Sequence, residues 1–114
     1  MGVDVAKAIP MTSADEFDGW LRTHGATERE VVVAIYKKDS GRQTVSFSDL
    51  LEVAVCHGWI DTQSKGIDPE RYALRFTPRR SGSNWSATNR ALARRLIAEG
   101  RMTEAGRAAL PADL

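Results

Sequence analysis

Arginine, hydroxyl and amide side chains are concentrated in one short segment, residues 75–89, which reads R-F-T-P-R-R-S-G-S-N-W-S-A-T-N. Guanidinium groups form planar, paired hydrogen bonds with carboxylates and phosphates, and the free N–H groups of a helix N-terminus attract anions. The segment lies where a predicted strand ends and a predicted helix begins. Its composition therefore favours a binding site for an anion. The candidate ligand contacts in the segment are Arg75, Arg79, Arg80, Ser83, Trp85, Ser86 and Asn89.

The polar side chains at the predicted helix start each allow two interpretations. Ser83 and Ser86 are both good N-caps, and capping explains only one of them, which leaves the other for a ligand. Asn89 shares a predicted helical face with Trp85, so its amide is expected to point inward. An inward amide needs either a structural partner or a ligand, because an unpaired buried polar group costs about 1–3 kcal/mol.

A second group of candidates follows the second predicted helix. Trp59 and Asp61 lie on one face of a predicted strand, where Trp59 is expected to anchor the core. Asp61 is expected to pair with Arg75, and a general base is the alternative. His57 is expected to cap the preceding helix, where the helix dipole favours its charged form, and acid/base catalysis is the alternative.

These two groups are expected to meet in space. Strand starts and helix N-termini are natural rims of a pocket. We therefore expect Trp59, Trp85 and Asn89 to border one concavity that also receives Arg79 or Arg75. As an exposed loop arginine, Arg79 is expected to contribute to binding and little to stability.

Charge is distributed unevenly along the chain. Residues 1–70 contain 7 basic and 12 acidic residues, whereas residues 71–114 contain 9 arginines, no lysine and 3 acidic residues. One interpretation is that the two parts pair with each other across the fold. The other is that the arginines recognise a planar anionic partner, since guanidinium is suited to such partners. Arg79 and Arg80 likewise allow two interpretations. They are either a solvated pair on the surface or part of an anion-binding site.

Hydrophobic periodicity and capping residues predict an α+β fold in the order helix, strand, helix, strand, strand, helix, helix. Capping signals begin the helices at Ser13, Ser46, Ser86 and Thr103. A small antiparallel sheet of about three strands, with helices packed on it, is the simplest arrangement of these elements. The strands are predicted at residues 30–37, 59–67 and 71–77. Residues 1–11 are expected to be a loose tail, and residues 12–114 to form a single domain.

Bulk composition limits the classes of protein that the chain can belong to. At 114 residues, with 42% hydrophobic and 27% charged residues, it is typical of one globular domain. No segment resembles a secretory signal or a membrane span, and one cysteine suits a reducing cytoplasm, so we expect a cytoplasmic protein that does not insert into membranes. Cys56 and His57 are adjacent and lack the spacing of zinc ligands, so no metal and no cofactor are expected.

Four of the motifs resemble one known family over roughly Phe17–Leu110. They are H-G-W-I-D (57–61), R-F-T-P-R-R (75–80), S-x-W-S-x-x-N (83–89) and E-G-R-M-T-E-A-G (99–106). In their order and spacing they resemble the YdeI/OmpD-associated, or bacteriocin-protection, family. The resemblance implies a link to bacterial envelope stress and resistance to antimicrobial peptides, and it implies no particular mechanism.

Three functions are compatible with these observations. The first is a non-catalytic module that binds an anionic small molecule or an anionic protein partner. The second is nucleic-acid binding through the arginines of the C-terminal half, with Trp85 stacking on a base. The third is an enzyme in which Asp61 or His57 acts as acid or base. The near-neutral net charge of +1 favours the first over the second.

Overall fold

The computed structural model describes residues 3–80 and 82–114, which form four strands and four helices. The strands are β1 (Ile9–Pro10), β2 (Val31–Tyr36), β3 (Trp59–Gly66) and β4 (Arg71–Pro78). The helices are α1 (Ala14–His24), α2 (Phe47–Cys56), α3 (Ala87–Ala98) and α4 (Glu104–Ala108), with 3-10 turns at Val5–Lys7 and Lys38–Ser40. The α+β class predicted from the sequence is confirmed.

The strands form one mixed sheet in the order β1-β2-β4-β3. Strand β4 is antiparallel to both β2 and β3, and β3 and β4 form the hairpin that their short connection predicted. Strand β1 adds a parallel edge next to β2. The prediction of about three antiparallel strands is therefore corrected to four strands in a mixed sheet, with an additional strand at the start of the element order.

The extra strand comes from the segment that was expected to be a loose tail. Ile9 pairs with Val33, and the neighbouring side chain of Met11 is buried. Val3 is also buried and packs with Val32 and Ala73, which lie on the face of the sheet that the helices leave open. Residues 3–11 are therefore held against the sheet, and residues 1–2 lie outside the described residues. Two paired residues are too few to give a periodic pattern, so the sequence did not signal this strand.

Hydroxyl side chains begin all four helices, as the sequence predicted. Each accepts a hydrogen bond from the backbone N–H three residues later, which satisfies a group that the first helical turn leaves free. The four caps are Ser13, Ser46, Ser86 and Thr103. The cap at Ser86 fixes where α3 starts, and so how much chain links it to β4.

The main core lies between α1, α2 and one face of the sheet. Phe17 of α1 and Phe76 of β4 are fully buried, and their ring centroids are 4.9 Å apart. Offset, tilted ring pairs of this kind add roughly 0.5–1.5 kcal/mol to the burial of the rings. A second core cluster, which contains Leu96 of α3 and Val55 of α2, attaches the C-terminal helices to α2.

Helix α4 contacts the end of α2 very closely. The backbone N–H and the hydroxyl of Thr103 both donate to the carbonyl oxygen of Cys56, at 3.0 and 2.7 Å. Gly106 follows one turn later, and its Cα faces the same carbonyl group so closely that no side chain would fit between them. The absence of a side chain at Gly106 thus permits α4 to dock. Among the described residues, no helix has the length and apolar character needed to cross a membrane.

Candidate functional site

Four arginines surround an open cavity of about 810 Å³ on the sheet, which we call the arginine cavity. Its lining consists of Arg29, Thr62, Arg75, Thr77, Pro78, Arg79 and Arg80. Three of these arginines, at 75, 79 and 80, were predicted site residues, and the structure brings them together. Arg29 was not predicted. It precedes β2, whose antiparallel pairing places Val31 opposite Phe76 and so brings residue 29 to the end of β4.

Arg75 is neutralised by a carboxylate, although not by the predicted one. Its guanidinium group donates to Glu30 at 3.1 Å and to the hydroxyl of Thr62 at 3.2 Å. A register shift between Asp61 and Gln63 interrupts β3 at Thr62. Asp61 lies opposite Phe76 and not opposite Arg75, so the predicted Asp61–Arg75 pair is wrong.

Arg79 has a structural role that its sequence context did not reveal. Its guanidinium carbon lies 3.7 Å from the centroid of the Trp85 ring, and Nη1 donates to the Ser83 hydroxyl and the Asn84 carbonyl, both at 3.1 Å. Its backbone N–H donates to the carbonyl of Gly58 at 2.8 Å. The side chain thus organises the loop that leads into α3. The expectation that Arg79 is exposed is therefore corrected, since its side chain is half-buried.

The environment of Arg79 also bears on its charge. Burial lowers the pKa of its guanidinium, and the nearby carboxylate of Asp61 acts in the opposite direction. Because guanidinium normally loses its proton only at very high pH, the group stays charged at neutral pH. Its Nε is buried and has no hydrogen-bond partner among the described residues. Asp61 is thus close enough to Arg79 for its negative charge to favour the charged form of the guanidinium.

Arg29 and Arg80 supply the exposed charge of the arginine cavity. Both side chains are exposed, and neither forms an ion pair with a carboxylate of the described residues. Most other arginines of residues 71–114 are paired: Arg71, Arg75, Arg90, Arg95 and Arg101 each contact a carboxylate. Three of these pairs join the two parts of the chain across the fold, namely Arg75 with Glu30, and Arg95 and Arg101 with Glu52. Pairing across the fold, as one interpretation of the sequence held, therefore explains part of the charge asymmetry, but it does not explain the charge at this cavity.

The predicted residues at the helix start lie outside the arginine cavity. Ser86 caps α3 by accepting from the N–H of Asn89 at 3.1 Å, and Ser83 accepts from Arg79. Both hydroxyls therefore have structural partners. The half-buried Asn89 side chain makes no hydrogen bond to the described part of the chain, so the structural partner expected for its amide is not found there.

The two tryptophans of the predicted concavity lie in different parts of the core. Trp59 is 2% exposed and meets Trp20 edge-to-face at 5.9 Å in the main cluster. Trp85 packs against the cluster that contains Leu96. Neither lines the arginine cavity, so the single concavity expected from Trp59, Trp85 and Asn89 is corrected to separate locations.

His57 ends α2, as predicted, with its N–H donating to the carbonyls of Val53 and Ala54. Its side chain is buried, and Nε2 lies 2.7 Å from an oxygen of Asp18. Trp59 and His57 both line a smaller cavity, separate from the arginine cavity. Within residues 3–80 and 82–114, no three His, Cys, Asp or Glu side chains are grouped so that they could hold a metal ion.

A model for a protein family described as a domain of unknown function (DUF8412) matches residues 9–109. The chain belongs to this family. The match begins at β1 and ends just after α4, so it includes the whole sheet and every residue of the arginine cavity. No curated protein and no solved structure matches the chain.

Proposed function

We propose that this domain is a non-catalytic module that binds a multiply charged anion in the arginine cavity. The observation that carries the proposal is the position of four arginines around one open cavity, of which, among the described residues, Arg75 alone forms an ion pair with a carboxylate. The Arg79 guanidinium is engaged by Trp85 and Ser83, so Arg29 and Arg80 supply the excess of positive charge there. A bound anion would be attracted to the positively charged guanidinium groups and would also reduce the repulsion between them.

The remaining lining suits oxyanions. Thr77 also lines the cavity, and the hydroxyl of Thr62 accepts a hydrogen bond from the Arg75 guanidinium at 3.2 Å. Arginine and hydroxyl groups together match the tetrahedral oxygens of phosphate and the planar oxygens of carboxylate. Because Arg29 and Arg80 are exposed, each pairing contributes modestly, about 0.2–1 kcal/mol, so tight binding requires a ligand that carries several charges.

Nucleic acid is a less favoured ligand of the same cavity. Stacking of a base needs an open aromatic face. The Arg79 guanidinium covers one face of Trp85, and the arginine cavity has no aromatic side chain in its lining. The proposed ligand is therefore an anionic small molecule, or an acidic segment of a protein partner, without a base-stacking contact.

The resemblance to the YdeI/OmpD-associated family adds a physiological setting to the proposal. In that setting the domain works in the cytoplasm and contributes to tolerance of envelope stress and antimicrobial peptides. The motif R-F-T-P-R-R, on which the resemblance depends, supplies three of the four arginines of the cavity. The binding proposal does not depend on the resemblance, because it follows from the charges and their positions.

A titration series tests the proposal. Phosphate, pyrophosphate and tripolyphosphate should bind with increasing affinity, by roughly 1.5-fold to fivefold at each step, because each added charge reaches another guanidinium group. Affinity should fall as salt rises, since the Debye length shortens to about 8 Å at 0.15 M. Backbone amide shifts in two-dimensional NMR would measure binding and locate it.

The expected shifts lie at the N-terminal end of β2 and the C-terminal end of β4, near Arg29 and Arg80. Shifts that instead centre on Arg94 and Arg107, which are exposed and lie outside the cavity, would contradict the proposal. So would equal affinity for all three anions.

A further inference from the structure

A histidine–carboxylate pair lies inside the domain, away from the arginine cavity. His57 is 8% exposed, and its Nε2 is 2.7 Å from Oδ1 of Asp18. The other oxygen of Asp18 accepts from Nε of Arg22, also at 2.7 Å. Helix capping requires only the backbone of His57, so capping does not explain why its imidazole is held in this way.

The pair fixes which ring nitrogen of His57 carries the proton. Burial raises the pKa of the Asp18 carboxyl, but hydrogen bonds from His57 and Arg22 outweigh burial, so that its pKa lies below the usual value. An ionised carboxylate only accepts hydrogen bonds, so Nε2 must be the donor. In the neutral imidazole, Nδ1 then has a free lone pair and is a hydrogen-bond acceptor.

Nδ1 has no partner among the described residues. It makes no hydrogen bond to residues 3–80 or 82–114, and the His57 side chain as a whole is buried. His57 lines a cavity of about 370 Å³ between the end of α1, the start of β3 and the start of α4, which we call the His57 cavity. Asp18 is not part of the lining, whereas Arg22, which donates to Asp18, is.

The lining of the His57 cavity gives the chemistry of its occupant. Leu21 and Trp59 provide apolar walls. The hydroxyl of Thr103 is already engaged, because it donates to Cys56 and accepts from Gly106. Arg22 also lines the cavity, and its Nε already donates to Asp18. Two side-chain acceptors of the lining make no hydrogen bond to the described residues, namely His57 Nδ1 and the exposed carboxylate of Glu104. A complementary molecule therefore brings an apolar body and a hydrogen-bond donor.

We propose that the His57 cavity binds a small molecule with an apolar body and a hydroxyl or N–H donor, which the Nδ1 atom of His57 accepts. Asp18 is a positioning residue that orients the imidazole and keeps its proton on Nε2. The His57 cavity and the arginine cavity are separate sites. A negative result at the His57 cavity would therefore leave the proposal of anion binding unaffected.

Phenol is the probe for this site, and anisole is its matched control. The two molecules have a similar ring, but anisole lacks the O–H donor. Amide NMR shifts on phenol titration should centre on Gly25, Trp59 and Ala105. Phenol should bind about threefold to tenfold more tightly than anisole, the usual contribution of one neutral hydrogen bond. Equal affinity for both compounds would overturn the proposal.

The variant His57→Lys separates binding from folding. The ammonium group of Lys can replace Nε2 as donor to Asp18, and it has no acceptor that could replace Nδ1. The variant should keep the fold and bind phenol no more tightly than anisole. Unchanged preference for phenol in a folded His57→Lys variant would overturn the proposal.

A second measurement does not depend on the variant. Nitrogen-15 NMR of the wild-type imidazole in its neutral form should show the proton on Nε2. In the variant Asp18→Asn, whose amide can donate to Nε2, part of the population should shift its proton to Nδ1 and the preference for phenol should shrink. A wild-type ring with its proton on Nδ1 would overturn the assignment of Nδ1 as acceptor.

Discussion

Replacing Gly106 by Ala should lower the free energy of unfolding by about 2–4 kcal/mol, one of the largest effects of any single methyl group in this domain. The added Cβ would lie 2.8 Å from the carbonyl carbon of Cys56 and closer still to its oxygen. Backbone cannot rotate away as a flexible side chain can, so α4 must move. The shift would break the two hydrogen bonds from Thr103 to Cys56.

Gly19→Ala in α1 is the matched control. Gly19 is exposed, and a Cβ added there would meet no atom within 4 Å. The same substitution should therefore stabilise the protein by about 0.5–1 kcal/mol, because Ala favours the helix. Urea unfolding of both variants measures the contrast. If Gly106→Ala is as stable as the wild type, the close docking of α4 on α2 is wrong.

Replacing Arg79 by Ala should lower the free energy of unfolding by about 1–3 kcal/mol and loosen the loop before α3. The substitution removes the stacking on Trp85, worth roughly 0.5–2 kcal/mol, and the hydrogen bonds to Ser83 and Asn84. The indole N–H signal of Trp85 should shift in the NMR spectrum, while those of Trp20 and Trp59 should stay in place. Urea unfolding supplies the stability.

Arg79→Lys provides the control for charge. Lysine keeps the positive charge but has no planar fork, so it should recover little of the lost stability. Full recovery by Lys would mean that charge alone matters at position 79. If Arg79→Ala leaves both the Trp85 signal and the stability unchanged, the structural role assigned to Arg79 is wrong.

Local signals in the sequence were sufficient to predict the four helices and three of the four strands of the described residues. Hydroxyl caps such as Ser46, followed by apolar residues at helical spacing, gave the helices, and β-branched residues gave β2. These features act within a few residues, so a single sequence displays them directly. Strand β1 was not predicted, because its two residues form a strand only through their pairing with β2.

Predictions about the site failed wherever they needed contacts between distant residues. The partner of Arg75 is Glu30, 45 positions away, and neither residue type nor spacing indicates that pair. Knowing the pairing of β2 with β4 would have placed Arg29 and Glu30 beside the predicted arginines. Similarly, the sequence predicted that Trp59 and Trp85 border the same concavity. Their packing places them in two different core clusters.

The anion-binding proposal is tested most directly by comparing two double variants of equal net charge in one pyrophosphate titration. Arg29→Gln/Arg80→Gln removes the two exposed, unpaired charges of the arginine cavity. Arg94→Gln/Arg107→Gln removes two exposed arginines that lie outside it, and so lowers the long-range field of the protein equally.

We expect the cavity variant to bind pyrophosphate about tenfold more weakly than the wild type, a loss of about 1.4 kcal/mol, and the control to remain within about threefold. Equal weakening in both variants would mean that the overall charge attracts the anion, and unchanged binding in the cavity variant would place the anion elsewhere. Either result would contradict a site at the arginine cavity.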